Sequence, residues 1–327
     1  LAAGLPPLAW VAAAACDFSL AAVEWPMEAS LAIAPGHAWL PGPPVWYLAL
    51  FYAAWGVYLV MPTGTFRAPH ALLLLAAASL LALVITPGLR KLTYACSRPP
   101  LAMTFIAVGH GTSVLCEFPD GSTLLYDAGS LAAPEATVEH ISAVLWSRGI
   151  TRLNHVMLSH ADADHYNAVP GLLKRFAVGN VHVSPRMFER PPPAVAALRE
   201  ALREAAVPVR VRVAGPDGRL RAMEREGTRV GILHPPPQGV PGNDNANSIV
   251  LRISYRDRHV LLPGDLEQVG LEYLLAQPPR SCDVVLAPHH GSDHSRPEAV
   301  ARWARPHWII VSGGERKAAP AIEQVRR

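Results

Sequence analysis

The sequence predicts an α/β layered sandwich from about residue 101 onward, preceded by apolar helices that read as membrane spans. Three observations carry this. Short β-rich runs alternate with segments of helical period in the C-terminal part. Charge is nearly absent at the other end, where residues 1–89 hold only Asp17, Glu24, Glu28 and Arg67. Residues of metal-ligand type recur where a strand-like run stops.

The apolar part comes first. Over the whole chain 50% of residues are hydrophobic and 17% are charged, with a mean hydropathy of +0.19. A step in charge as sharp as the one at Arg90 marks a change of solvent, lipid to water. Residues 45–61 and 71–86 are uncharged apolar runs, and 1–23 is a weaker third one interrupted by Asp17. Trp46, Tyr47, Trp55 and Tyr58 sit where interface anchors belong. No basic segment precedes a single apolar stretch, so a signal peptide does not fit. The expected organisation is membrane helices in 1–92, a linker in 93–100 and a soluble domain in 101–327. Positive charge is absent from the 24–44 loop and limited to Arg67 in the 62–70 loop, which favours an extracytoplasmic soluble domain. Arg90, Lys91 and Arg98 after the last span favour the opposite side, so counting leaves the side open.

In the soluble part, 103–108, 113–118 and 123–126 read as strands, with a hairpin signal at Asp120-Gly121. A helix is expected over 138–148, stopping at Gly149, then a strand over 155–158. Helices over 171–176, 194–206 and 266–276 alternate with strands at 181–183, 209–213, 249–255, 259–262, 283–286 and 308–311. The four cysteines (Cys16, Cys96, Cys116, Cys282) form no C-x-x-C pair and imply free thiols. A net charge of +3 does not by itself argue for nucleic acid. The arginines between Arg186 and Arg229 are partly offset by Glu189, Glu200, Glu204, Glu224 and Glu226, and a solvated face is the simpler reading.

The strongest local signal is His160-Ala-Asp162-Ala-Asp164-His165, directly after an apolar strand. In an extended turn His160 and Asp162 share one side and one ion, while Asp164 and His165 turn toward a second. Two ions about 3.5–4 Å apart clamp both the attacking and the leaving oxygen of a hydrolytic displacement. Gly264-Asp265 ends the 259–262 run, and His289-His290-Gly291-Ser292 follows the 283–286 run. A carboxylate at the first position can bridge two ions, and an imidazole at the second can complete a shell.

These residues, together with the Gly109-His110-Gly111 loop, Asp127-Ala128-Gly129 and Asn247-Ser248, resemble the metallo-β-lactamase fold. More narrowly they resemble the C-terminal domain of ComEC-type DNA-internalisation competence proteins, where such a domain follows a polytopic membrane domain; this implies a multi-pass protein of the bacterial inner membrane with its hydrolase domain at 101–327. The resemblance covers about 101–315 and implies an αββα sandwich. It implies His160, Asp162, Asp164, His165, Asp265 and His289 as ligands of two divalent ions. His290 and Ser292 would lie near the substrate, Asp164 would be catalytic, and Asp127 would support the ligand loop. Asp162 stands where metallo-β-lactamases generally have His, which shifts preference from Zn²⁺ toward harder ions such as Mn²⁺. The imidazole that would complete the first ion's shell has no clear counterpart, His182 and His234 being the nearest candidates. Thr112 replaces a frequent Asp of the family, and the family's last hairpin beyond 308–311 is expected to be missing.

The expected function is a membrane-tethered metal-dependent hydrolase, a nuclease acting on single-stranded DNA during uptake. Its expected partners are DNA, the membrane and other competence-machinery proteins. Two other readings stand beside it: a small-ester or lactone hydrolase on the same fold, and a non-catalytic module of a DNA channel.

Overall fold

The computed structural model describes residues 45–60, 101–215 and 227–313, with isolated helical positions at 13, 16–18, 20–21, 24–25, 77–78 and 85. Two compact units divide the chain, Leu1–Leu40 and Pro41–Arg327. Helix α1 (Val45–Val60) has 16 residues and no charge in its end turns. At about 1.5 Å per residue it falls short of the ~30 Å hydrocarbon core. Among the described residues no helix is long and apolar enough to cross a membrane. The apolar run 71–86 falls almost wholly, and the linker 93–100 entirely, outside the described residues.

From residue 101 the chain builds two sheets. The first contains β1 (Ala102–Phe105), β2 (Val114–Glu117), β3 (Thr123–Tyr126), β4 (Arg152–Leu158), β5 (Ala177–Val183) and β6 (Val209–Val211), in that spatial order. Its first three strands pair antiparallel and β3 to β6 pair parallel. The second contains β7 (Thr228–His234), β8 (Val250–Tyr255), β9 (Arg258–Leu262), β10 (Val284–Leu286) and β11 (Trp308–Ile310). Here β7, β8 and β9 pair antiparallel, and β10 lies parallel to both β9 and β11.

Alternation along each strand explains the layers. Val114, Cys116, Leu124, Tyr126 and Met157 of the first sheet meet Val230, Ile232, Leu251, Ile253 and Leu262 of the second in one core. The intervening Leu115, Leu125, Val156 and Leu158 point the other way, into a core with helices α2 (Pro134–Ser147), α4 (Val169–Leu173) and α5 (Pro193–Glu204). Val250, Leu261 and Val285 do the same under α6 (Gln268–Leu275) and α7 (Pro297–Ala304). The result is an αββα sandwich, and burial on both faces is why strands such as β10 are apolar without a break. Tyr126 Oη joins the sheets by donating to Ile249 O at 2.8 Å, with Leu262 O at 3.2 Å. Cys116 and Cys282 are free and buried, and Cys16 is free and exposed.

The structure departs from the sequence expectations in places. Helix α2 begins at Pro134 rather than 138, because proline's fixed φ suits a first helical turn. The metal-type loop is not extended throughout: Ala163–Tyr166 forms a short helix, α3, after an extended Asp162. Helix α7 has no counterpart among the expected elements, and of strand β7 only the end is expected, where His234-Pro235 reads as a strand end. The expectation that the last hairpin after β11 is missing concerns residues outside the described ones.

Candidate metal centre

The candidate residues converge at one end of the sandwich, where the parallel strands β3, β4, β9 and β10 stop. Asp127 follows β3, Ser159 and His160 follow β4, Asp265 follows β9, and His289 and His290 follow β10. Ile249 N–H donates to Ser159 O at 2.9 Å, and His289 N–H donates to Gly264 O at 3.2 Å, so the loops of both sheets are tied together. Gly264 has φ +57, and a Cβ there would stand 2.7 Å from Ser159 Cβ; only glycine brings the Asp265 turn this close to β4. Asp127, His289 and His290 also have positive φ, a strain that persists where a site holds it in place.

Asp127 is wholly buried and organises the near side. Its Oδ1 accepts from Ser159 N–H at 2.7 Å, and its Oδ2 accepts from the Ser159 hydroxyl and from His165 Nδ1, both at 2.8 Å. With its proton given to Asp127, the Ser159 hydroxyl accepts from His160 Nδ1 at 2.9 Å. His289 Nδ1 donates to Glu267 Oε2 at 2.9 Å, and His290 Nδ1 to Ser312 O at 2.8 Å. Each of the four imidazoles therefore has Nδ1 held by an acceptor, which turns Nε2 toward the carboxylates as the atom that gives its lone pair to a cation once its proton is displaced.

Those carboxylates are close. Asp265 Oδ1 lies 3.1 Å from His165 Nε2, and Asp265 Oδ2 lies 3.6 Å from His290 Nε2 and 3.8 Å from His289 Nε2. Asp164 Oδ2 is 3.1 Å from His290 Nε2, and its Oδ1 is 3.9 Å from His165 Nε2. Asp162 Oδ2 is 3.3 Å from His160 Nε2. Asp164, His165, Asp265 and His290 offer ligand atoms all within 4.8 Å of one another. The Nε2 atoms of His160 and His165 are buried and make no hydrogen bond. Orphaned buried imidazole nitrogens beside carboxylates are costly unless a cation completes them, so these residues fit a divalent ion.

Electrostatics agree. Burial disfavours the His165 imidazolium, but Asp265 and Asp127 outweigh it and raise its pKa well above 6.5. Burial also opposes ionisation of Asp265 and Asp164, yet His165 beside the first and His290 beside the second hold both carboxyls below the usual range. The His160 ring beside Asp162 lowers it likewise. These are groups held charged by one another, buried at His165, Asp265 and Asp164 and half exposed at Asp162.

Not every expected residue joins this cluster. Ser292 accepts from His294 N–H at the start of the 293–295 turn. His182 stands apart, 3.1 Å from His155 Nδ1 and accepting from Arg212 Nε at 2.9 Å. His234 is wholly buried, and its Nε2 donates to Ala246 O at 2.8 Å. Neither candidate for the first ion's missing imidazole belongs to the four-residue cluster. Three residues escape a reading of the sequence. Glu267 orients His289. His110, half exposed, puts Nε2 3.9 Å from Asp164 Oδ2 with its ring 4.4 Å from that of His290. The Asp244 carboxyl, raised by burial, also feels the charges of His160 and Asp162. A Gly-His-Gly turn beside the ligand loop is the one legible sign of His110.

Burial pulls the His182 pKa down to about 3, helped by Arg212, and that of His234 down to about 4. Both folded-state values lie below the ordinary 6.5, so the unfolded chain binds more protons between them. Stability is full above pH 6.5 and falls as pH drops toward 4, by at most about 1.4 kcal/mol per pH unit per group. Urea midpoints at pH 7 and pH 5 check this, and His234→Asn is expected to flatten the difference.

Fold and site together define a metal-dependent hydrolase of one class. A sequence model of the metallo-beta-lactamase superfamily matches residues 106–314, and the chain belongs to that superfamily. Within it, the curated relatives are competence proteins of the ComEC family. ComE operon protein 3 of Bacillus subtilis is 27% identical over 236 residues, covering 68% of this chain and 29% of the relative. Competence protein ComA of Neisseria gonorrhoeae is 26% identical over 314 residues, covering 94% of this chain and 38% of the relative. Recombination protein 2 of Haemophilus influenzae is 29% identical over 219 residues, covering 67% and 25%. The chain thus spans well under half the length of these relatives. Similar solved structures include CmlA beta-hydroxylase, at TM-score 0.40 and 14% identity over 66% of this chain and 46% of that one. A diphosphatase of the PhnP family has TM-score 0.38 and 15% identity over 66% and 78%.

Proposed function

We propose that this chain is the hydrolytic end of a membrane-tethered DNA-uptake protein and cleaves phosphodiester bonds of single-stranded DNA. The observation that carries it is the set of Nε2 atoms, each fixed by an Nδ1 acceptor and turned toward carboxylates. Asp164, His165, Asp265 and His290 would hold one divalent ion, with His289 beside Asp265. His160 and Asp162 would hold a second more loosely. Divalent ions bound there supply Lewis-acid polarisation of a phosphoryl oxygen and acidify a water. The chain's own groups do the rest. Asp164 stays ionised beside His290 and keeps its oxygens available as acceptors. His110, at the exposed mouth, can donate to a substrate oxygen. The carboxylate share of the ligand set favours Mn²⁺ over Zn²⁺.

The relatives' names supply the competence context, and the apolar composition of 1–89 supplies the membrane tether, with the hydrolase domain outside the cytoplasm and other competence proteins as neighbours. The test is Mn²⁺-dependent cleavage of single-stranded DNA by the chain and by Asp164→Ala. Cleavage abolished in the variant supports the reading. Hydrolysis of esters or lactones without DNA cleavage, or bound metal with no turnover, would replace it with one of the other two readings.

A further inference from the structure

The outer face of the second sheet changes character along its strands. Leu233, Val250 and Leu261 lie under α6 and α7 in an apolar core. Further along, the same face carries Arg229, Ser254 and His259, directly paired across β7, β8 and β9, and among the described residues no helix core reaches them. One step nearer the helices Arg252 pairs with Leu261 on one side and on the other with Gly231, which brings no side chain to cover it. This uncovered end is a groove of about 550 Å³, with Arg256 and Arg280 also on its walls. Asp257 is the carboxylate among its described lining residues.

The arginines are not spent on one another's neighbours. Arg252 is half-buried, donating to Ser254 Oγ at 3.1 Å and to Ser281 O at 3.1 Å, while its buried Nε has no partner. Ser254 in turn meets His259 Nδ1 at 2.9 Å. Arg256 lies over the Tyr255 ring at 5.2 Å. Among the described residues no carboxylate lies within 4 Å of the charged nitrogens of Arg229, Arg252, Arg256 or Arg280, although Arg258 nearby has Asp283. A solvated face interleaves both signs. Here a fixed, half-buried guanidinium lacks a counter-charge, which is unfavourable until an anion supplies it.

We propose that this groove binds the phosphodiester backbone of a nucleic-acid strand, as an anchoring site separate from the metal centre. It rests on the reading of DNA as the substrate. The ends of β8 near Ile249 and near Tyr255 are the metal and groove ends respectively, about 20 Å apart at ~3.3 Å per residue. A strand of a few nucleotides spans that distance. All four cations are arginines, whose planar forks match phosphate oxygens in pairs. The lining is mostly polar, which suits a strand's backbone better than the acyl region of a lipid.

Binding of a fluorescent oligothymidylate to the purified chain in EDTA tests the groove without any turnover. The double variant Arg229→Glu/Arg256→Glu is expected to bind about tenfold or more weakly. Its log–log salt dependence should be shallower by about 0.7 for each phosphate that is no longer neutralised. If the charge reversals disturb folding, seen as a lower melting temperature, Arg229→Gln/Arg256→Gln carries the same test. Unchanged affinity and salt slope overturn the proposal, as does loss of binding to phosphatidylglycerol vesicles with oligonucleotide binding intact. Arginine-dependent binding in a chain that cleaves no DNA upholds the groove while the nuclease reading fails.

Discussion

Asp265→Asn is expected to empty the four-residue cluster of metal and to abolish hydrolysis while leaving the sandwich folded. Its two oxygens are the ones that face His165, His290 and His289 together, at 3.1, 3.6 and 3.8 Å. No other carboxylate lies against all three imidazoles among the described residues. The amide keeps the volume and the turn at Gly264 but offers one weak ligand oxygen in place of an anion. Losing several kcal/mol of Lewis-acid stabilisation corresponds to a drop in turnover on the order of a thousandfold or more. Metal titration followed by calorimetry and steady-state kinetics on the same preparation check both parts. Full metal affinity in the variant would remove Asp265 from the ligand set.

Asp127→Asn is expected to act without touching metal or substrate. The carboxylate accepts three hydrogen bonds, from Ser159 N–H, the Ser159 hydroxyl and His165 Nδ1. An amide turns one acceptor into a donor. At the Oδ2 position its two hydrogens face both His165 Nδ1 and the Ser159 hydroxyl, so both must become acceptors, and the Ser159 reversal passes on to His160 Nδ1. Both near-side histidines lose their fixed Nε2 lone pair. Metal affinity is expected to fall roughly 10–100-fold. A buried donor left unpaired costs about 1–3 kcal/mol of stability. Calorimetric metal titration and chemical denaturation measure the two effects. Excess metal should restore much of the turnover, whereas in Asp265→Asn it should not.

The ligand loop is legible because its residues are unusual in type and spacing and because they follow runs buried on both faces. Thr123–Tyr126 and the ends of β4, β9 and β10 stand out for the same reason: no polar residue interrupts their last turns into the site. Strand β7 is hidden by Arg229 and Gly231, which belong to its uncovered face and break the apolar pattern there. Helix α3 has four residues, too few for a period to show. Helix α7 lies between Arg296 and Arg305, both left-handed without being glycine, and its signals are two prolines, Pro297 in its first turn and Pro306 just past its end.

Within the site, sequence could not apportion the adjacent pair His289-His290. Two successive left-handed residues send one Nδ1 to Glu267 and the other to Ser312, so His290 enters the four-residue cluster and His289 stands at its rim. Glu267, His110 and Asp244 are loop residues without periodic context, and their place emerges only when the loops of both sheets meet.

The central claim is that this end of the sandwich is a divalent-metal centre. Elemental analysis of the purified full chain after Mn²⁺ loading and desalting tests it most directly, beside the same measurement on Asp265→Asn. The account predicts at least one tightly retained ion per chain, a second lost more readily, and little or none in the variant. Equal trace amounts of metal in both proteins would contradict it.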